Sequence, residues 1–360
     1  MRYSKPSLYV GALLAASTLT VASAPAKADL VKLVYGNVTS MTLSQAPMVA
    51  AKQLGYFKEE GLEVELMGFK GTGTLIPQML AKRVDIGYPN PDTLIISRDA
   101  GKEKLPLKFF YNMTRASGWE FAVLADSPIK SIADLNGKSI GVGAMSFGNV
   151  PITRAQFKEL KVNATMVPVG VGAAAFLALT EKRVDALNLF DAQHATLETQ
   201  GTKIRRLEQA PRYEALFSNG FVAHEDMIRD KPQVLAGFGR AVAKATLFCE
   251  TNREACVKMF WKEYPNDKPN GDEAKVLADG VKIFSARFDK MLVFPKGEEP
   301  RKWGAYDRQI WVDFAEALYE GGQLSTKDVD VDACYTNAFV PKFSEFDAAK
   351  VVAQAKSFKD

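Results

Sequence analysis

Leu80-Ala81-Lys82-Arg83-Val84-Asp85-Ile86-Gly87 recurs as Thr180-Glu181-Lys182-Arg183-Val184-Asp185-Ala186-Leu187, with the shared Lys-Arg-Val-Asp displaced by 100 positions. Each copy follows a glycine pair, Gly71/Gly73 and Gly170/Gly172, and an apolar run of helical spacing. Each is trailed by an aspartate in a loop, Asp92 and Asp191. A β-loop-α-β unit written twice predicts two α/β lobes whose strand-end loops face one another across a cleft.

Around this repeat the chain divides readily. Arg2 and Lys5 precede an apolar stretch, Leu8 to Val21, and Ala26-Lys27-Ala28 comes before Asp29. This reads as a secretory leader, residues 1–28, cleaved after Ala28. The apolar stretch is shorter than the ~20 residues a membrane span needs, so the mature chain is expected to be soluble and not membrane-inserted. Without the leader, the 46 basic and 42 acidic residues become 43 against 42, because Arg2, Lys5 and Lys27 leave with it. A chain so nearly neutral has little to offer nucleic acid.

Beyond Asp29, strand and helix signals alternate. Leu30–Tyr35, Val64–Leu66 and Asp85–Tyr88 read as strands in the first half; Ser139–Val142, Thr165–Val169 and the run ending at Phe190 read as strands in the second. Leu107–Asn112, Trp119–Leu124 and Phe217–Ala223 read as extended segments crossing between lobes. The expected division is therefore residues 29–112 and 221–360 for lobe 1 and 113–220 for lobe 2. A largely helical tail beyond Pro232 should return to lobe 1. Three cysteines, Cys249, Cys256 and Cys334, leave at least one unpaired within the chain. On an unbroken helix Cys249 and Cys256 would stand ~10 Å apart, beyond the ~7 Å reach of a disulfide. Thr251-Asn252 resembles a helix cap that would bend the path and permit pairing, so both outcomes stay open.

Leu54-Gly55-Tyr56-Phe57-Lys58-Glu59-Glu60-Gly61-Leu62-Glu63-Val64-Glu65 resembles the opening signature of ABC-transporter solute-binding proteins of the nitrate, sulfonate and taurine class, which includes thiamine-pyrimidine binders. Gly71-Thr72-Gly73 with the following Lys82-Arg83-Val84-Asp85, Ile132 to Val142, and Tyr335-Thr336-Asn337 match the same class. The resemblance implies the type II periplasmic-binding-protein fold: two α/β lobes, each a mixed sheet with helices, closing on a ligand. It also implies a periplasmic location, a small-molecule ligand, an ABC permease of the inner membrane as partner, a monomer, and neither cofactor nor metal.

A two-lobed binder gains affinity where strand-end loops and helix N-termini present unpaired N–H groups to the cleft. The candidates in the first half are Ser40, Met41 and Thr42; Gly71, Thr72, Gly73 and Thr74; Tyr88, Asn90 and Asp92; and Asn112 at the crossing. In the second half they are Ser146, Phe147, Gly148 and Asn149, then Phe190 and Asp191. Plainer roles exist for many of them. Asp92 and Asp191 suit helix capping, Ser146 and Asn149 suit a helix start before Pro151, and the aromatic residues suit packing, as do Trp119, Trp261, Trp303 and Trp311. No arginine lies within these loops; Lys70, Arg115 and Arg154 lie near them. Hydroxyls, amides and glycine N–H groups can hold a carboxylate or sulfonate without a cation. The expected ligand is a small organic anion, aromatic ones included; the alternative is a heterocycle met by Asp92 and Asp191.

Catalysis finds little footing. The two histidines, His194 and His224, belong to no metal or nucleophile motif. Gly141-Val142-Gly143 lacks the third glycine and the acidic partner of a dinucleotide loop. Enzymes that make the thiamine pyrimidine resemble the same family but are marked by clustered Cys and His in the cleft, which this chain lacks. No residue is assigned a catalytic role.

Overall fold

Val31–Asn37 turns Leu33 and Tyr35 inward and forms strand β1, the pivot of the first sheet. The computed structural model describes residues 1–4 and 29–359. The apolar run and cleavage point of the leader lie outside them. β1 pairs in parallel with β2 (Leu62–Gly68) and β3 (Ile86–Tyr88). The sheet is completed by β4 (Leu107–Tyr111) and by β10 (Phe221–His224), which runs antiparallel to β3 and β4.

The second sheet repeats the design with β5 (Trp119–Leu124), β6 (Ser139–Val142), β7 (Thr165–Pro168), β8 (Ala186–Phe190) and β9 (Ile204–Leu207). The orders β2-β1-β3-β10-β4 and β7-β6-β8-β5-β9 correspond strand for strand, each with a reversed strand in fourth place. The two mixed sheets and their helices form the expected two-lobed α/β architecture.

The helices follow in chain order. α1 (Ala46–Gln53), α2 (Tyr56–Glu59), α3 (Thr72–Leu80) and α4 (Asp92–Ile96) accompany the first sheet; α5 (Asn149–Glu159), α6 (Ala173–Thr180), α7 (Asp191–Thr199) and α8 (Pro211–Glu214) accompany the second. The tail carries α9 (Glu225–Asp230), α10 (Pro232–Thr251), α11 (Arg253–Glu263), α12 (Glu273–Met291), α13 (Arg308–Glu320), α14 (Val340–Phe343) and α15 (Ala348–Ser357).

The repeated Lys-Arg-Val-Asp is a structural corner made twice. Lys82 and Lys182 take positive φ angles of 57° and 56°, reversing the chain after α3 and α6. The next two backbone N–H groups then donate to Gln78 in one copy and to Ala178 in the other. Asp85 Oδ2 accepts the Val34 N–H at 2.8 Å, and Asp185 Oδ2 accepts the Ser139 N–H at 2.8 Å. Each carboxylate fastens its helix-to-strand corner to the neighbouring parallel strand, at the middle of β1 in one copy and at the start of β6 in the other. Burial pushes the Asp185 carboxyl up, but the N–H and hydroxyl of Ser139 bring it below its ordinary value.

Two connections join the halves. Thr114 N–H donates to Asn219 O, and Ser218 N–H donates to Thr114 O, each at 2.9 Å, so the crossing segments run side by side. The crossings are shorter than the sequence suggested: β4, β5 and β10 draw most of the expected extended residues into the sheets, leaving 112–118 and 208–220. The tail packs on the first half and also reaches the second. α10 packs on the first half, where Phe238 stacks on Phe57 with centroids 5.3 Å apart. α12 and α13 pack on the first half through Phe284 and Trp311 and in addition lie against α7 and α5 of the second half. Ile152 and Ala155 of α5 share a core with Trp311, Phe314 and Leu318 of α13.

Cys249 and Cys256 form a disulfide with Cα atoms 5.6 Å apart, and Cys334 is buried and free. Pairing is possible because α10 ends at Thr251. Asn252 starts α11, its side chain accepting the Ala255 N–H at 3.0 Å and donating to Ala355 O at 2.9 Å. Among the described residues no helix is long and apolar enough to cross a membrane.

Candidate functional site

The strand ends of the two sheets meet along a seam that is packed at one end and open at the other. At the packed end, a Cβ on Gly148 would stand 3.1 Å from both Asn90 Nδ2 and Asp92 Oδ1. Asn90 Oδ1 accepts from Ser218 Oγ at 3.1 Å, tying this loop to the return crossing. Asp92 Oδ1 is enclosed and has no hydrogen-bond partner. Burial pushes its carboxyl up to about 6, although the N–H groups of residues 92 and 93 oppose the shift.

At the open end lies a groove of about 570 Å3. Ser40, Met41, Thr42 and Leu43 line it from the first half, and Thr196 and Thr199 of α7 with Gln200 just after it line it from the second. α12 forms another wall through Lys275, Val276, Asp279, Gly280 and Ile283, and Phe260 and Trp261 of α11 with Asp267 and residues 269–272 complete the lining. Asn37 holds the first loop in place, its Nδ2 donating to Thr39 O at 3.1 Å and to Ser40 O at 3.2 Å.

Between these ends sits a residue that sequence reasoning missed. Arg287 of α12 is buried, and its Nε donates to Asp191 Oδ1 at 3.0 Å and Oδ2 at 2.9 Å. Its Nη1 reaches Asn219 Oδ1 at 3.4 Å, and its guanidinium lies 5.7 Å from the Phe190 ring centre. Burial alone would make Arg287 easier to deprotonate, but the Asp191 carboxylate beside it more than offsets that and keeps it charged. Burial raises the Asp191 carboxyl above its ordinary value; Arg287 pulls it back, and Glu120 pushes it further up. The named loops hold no arginine; Arg287 reaches Asp191 from helix α12. Arg287 had a visible signature: it interrupts the buried stripe Val276, Gly280, Phe284, Phe288 and Met291 of an amphipathic helix.

The remaining candidates fall into distinct places. Phe190 stacks on Trp119, centroids 4.2 Å apart, and Phe147 approaches both rings at 6.1 Å. Trp119 therefore belongs to the seam as well as to the packing. Tyr88 is a pillar of the crossing: its hydroxyl is 2.6 Å from Thr114 Oγ1 and its ring packs on Tyr35 and Phe221. Asn149 is buried within the second half, its amide donating to Asn188 O at 3.1 Å, while Ser146 is exposed on a turn.

Gly71, with φ of 92°, and Gly73 have no atom within 4 Å of an added Cβ. Thr72 begins α3, and Thr74 Oγ1 donates to Gly71 O at 3.0 Å. None of residues 71–74 lines the groove. Asn112 is turned to the tail, its N–H donating to Gly304 O at 2.9 Å and its amide to Ala305 O at 3.3 Å. Of the nearby cations, Lys70 and Arg154 are exposed, and Arg115 Nε donates to Val293 O at 2.8 Å.

The sequence pattern of the family described as NMT1/THI5 like matches residues 43–255. A riboflavin-binding protein of Chloroflexus aurantiacus is 23% identical over 303 residues, covering 82% of this chain and 82% of its own. The alkanesulfonate-binding protein of Xanthomonas axonopodis, solved with MOPS, superposes with a TM-score of 0.63 at 16% identity, over 86% of this chain and 100% of that one. A desulfurization enzyme shares the fold with a TM-score of 0.58 at 15% identity, over 87% of this chain and 98% of its own. At such identities the structural likenesses establish the fold alone, which serves binding proteins and an enzyme alike.

Proposed function

This chain belongs to the NMT1/THI5-like family, and on that premise we propose that it is the exported substrate-binding component of an ABC importer. It captures a small organic anion, a sulfonate or carboxylate and aromatic ones included, in the interlobe cleft and delivers it to a permease of the inner membrane. It works as a monomer in the periplasm, after loss of residues 1–28, and carries out no catalysis. Residues 29–112 and 221–360 move as one lobe against 113–220, about the paired crossings at Thr114 and Ser218.

The observation that carries this reading is the groove. A ligand resting on Ser40–Leu43 also touches Thr196, Thr199 and Gln200, so it bridges the two halves only when they are together. Binding that touches both halves shifts an open–closed equilibrium, and the closed form is what a permease reads.

A thermal-shift panel of sulfonates, aliphatic and aromatic carboxylates, nitrate, pyrimidines and flavins tests it. Ligand at 100 times its dissociation constant adds about 2.7 kcal/mol of stability. At least one acid should raise the melting temperature and reduce the radius of gyration in X-ray scattering; a panel with neither effect would overturn the reading. One observation favours a second reading, a heterocycle bearing N–H donors: Asp92 Oδ1 is enclosed without a donor. Stabilisation by pyrimidines alone, lost in Asp92→Asn, would select it.

A further inference from the structure

We propose that the Nη edge of Arg287 is the anion-binding element of the cleft, taking the carboxylate or sulfonate head of a ligand whose body lies in the groove, with Asp191 as the positioning residue. The proposal rests on the binding-protein reading and names the group that would decide its ligand class.

A guanidinium commonly meets a carboxylate with two nitrogens, as a fork. Here both oxygens of Asp191 are taken by Nε alone. Toward its other edge the guanidinium meets Asn219 Oδ1 at 3.4 Å from Nη1 and the Tyr88 hydroxyl, both neutral groups. Asp191 therefore fixes the guanidinium by one corner, and its opposite edge faces the neutral Asn219 and Tyr88 rather than a second carboxylate.

The rest of the setting holds the group in that pose. A Cβ on Gly118 would stand 2.5 Å from Nη2 and 2.7 Å from Cζ, so glycine at this position makes room for the guanidinium. Asp191 is itself anchored: its backbone N–H donates to Gly118 O at 2.9 Å, and its Oδ1 accepts the Ala192 N–H at 2.7 Å.

Arg287 does not itself line the groove but lies beyond its end along α12. Val276, Gly280 and Ile283 line it along one face of α12, and Arg287 continues that face one turn beyond Ile283, about 6 Å farther along the axis. α7 runs beside α12 with Thr196, Thr199 and the following Gln200 on the groove and Asp191 at the Arg287 end. A ligand with an apolar or aromatic body and an anionic head matches that sequence of surfaces, with Phe190 and Trp119 beside the head.

The test is titration calorimetry of the full mature chain with benzenesulfonate and benzoate as probes. Arg287→Lys keeps a cation for Asp191 but removes the two-nitrogen edge, and is expected to weaken the better probe by about tenfold or more. Gly118→Ala, which displaces the guanidinium and leaves the ion-pairing groups present, should do the same. Asp191→Ala should weaken binding, and Asp191→Asn, which still offers Nε an oxygen, should restore it.

A cooperative thermal melt qualifies each variant as folded. The double variant Arg287→Gln/Asp191→Asn removes both charges together and so leaves no unpaired ion if a single variant unfolds; it too should lose the probe. Probe affinity unchanged in Arg287→Lys, or retained in the folded double variant, would overturn the assignment. So would failure of both probes to bind the wild-type chain. In that case the binding-protein reading still stands if another panel member compacts the protein, which separates the two failures.

Discussion

Asp92 and Asp191 hold the same station in the two halves: one follows β3 and opens α4, the other follows β8 and opens α7. Their surroundings differ completely. Asp191 is buried against Arg287, whereas Asp92 has an enclosed oxygen with no partner. The repeat sets where each carboxylate stands, and the tail decides its character, because α12 brings a cation to the second copy. Duplication builds the frame; the unduplicated segment makes the cleft asymmetric.

The sharpest way to break this comparison is Arg287→Met. It leaves Asp191 as a buried charge without its ion and should cost about 3–5 kcal/mol in denaturant unfolding. Adding Asp191→Asn should recover most of the loss. A single variant as stable as wild type would show that the two aspartates stand in equivalent surroundings after all.

Asp92→Asn should act in the opposite direction. The folded-state pKa of about 6 lies above the ordinary 3.8, so the fold favours the neutral acid. The stability this gives is fully present below about pH 4 and is lost as pH rises through about 6. Above that window the variant should be more stable than wild type by on the order of 1–3 kcal/mol, and near pH 4 the two should converge. Melting temperatures taken from pH 4 to 8 check this; a constant difference across the range would refute it.

Asp85→Ala and Asp185→Ala probe the ends of the halves that are alike. Each strands one backbone N–H and should cost about 1–2 kcal/mol, with Asp185→Ala, which also releases the Ser139 hydroxyl, the larger by about 0.5 or less. Strongly unequal losses in urea titrations would mean that the repeated corner is not energetically repeated.

The smallest effect expected on stability is that of Gly148→Ala, which should change melting little. Its methyl meets Asn90 Nδ2 and Asp92 Oδ1 at 3.1 Å, so it should hinder approach of the halves and weaken ligand binding by about tenfold or less. Unchanged binding would show that the packed end of the seam can give way.

These contrasts track what could be read from the chain. The duplication was legible because Lys-Arg-Val-Asp performs one local task, reversing a helix into a strand. β6 spans the stretch expected for it, Ser139–Val142. The crossings were drawn too long because β4, β5 and β10 are extended whether they pair or cross, and only the ladder distinguishes these. The disulfide could not be read while the path at Asn252 was unsettled. Arg287 escaped because loops were searched for charge, whereas it lies on a helix 96 residues beyond its partner Asp191. Tyr88, Asn112 and Asn149 are cleft candidates by position; their polar atoms also bond the crossing, the tail and the second half, which position alone does not reveal.

Hydrogen–deuterium exchange with and without a saturating amount of the tightest-binding anion of the panel tests most directly whether one ligand is shared by both halves. Amides of Ser40–Leu43, of Asp191–Gln200 and of α12 around Arg287 should slow together, while those of Gly71–Thr74 should not change. Protection confined to one half, or appearing at 71–74 and not along α7 and α12, would contradict the account.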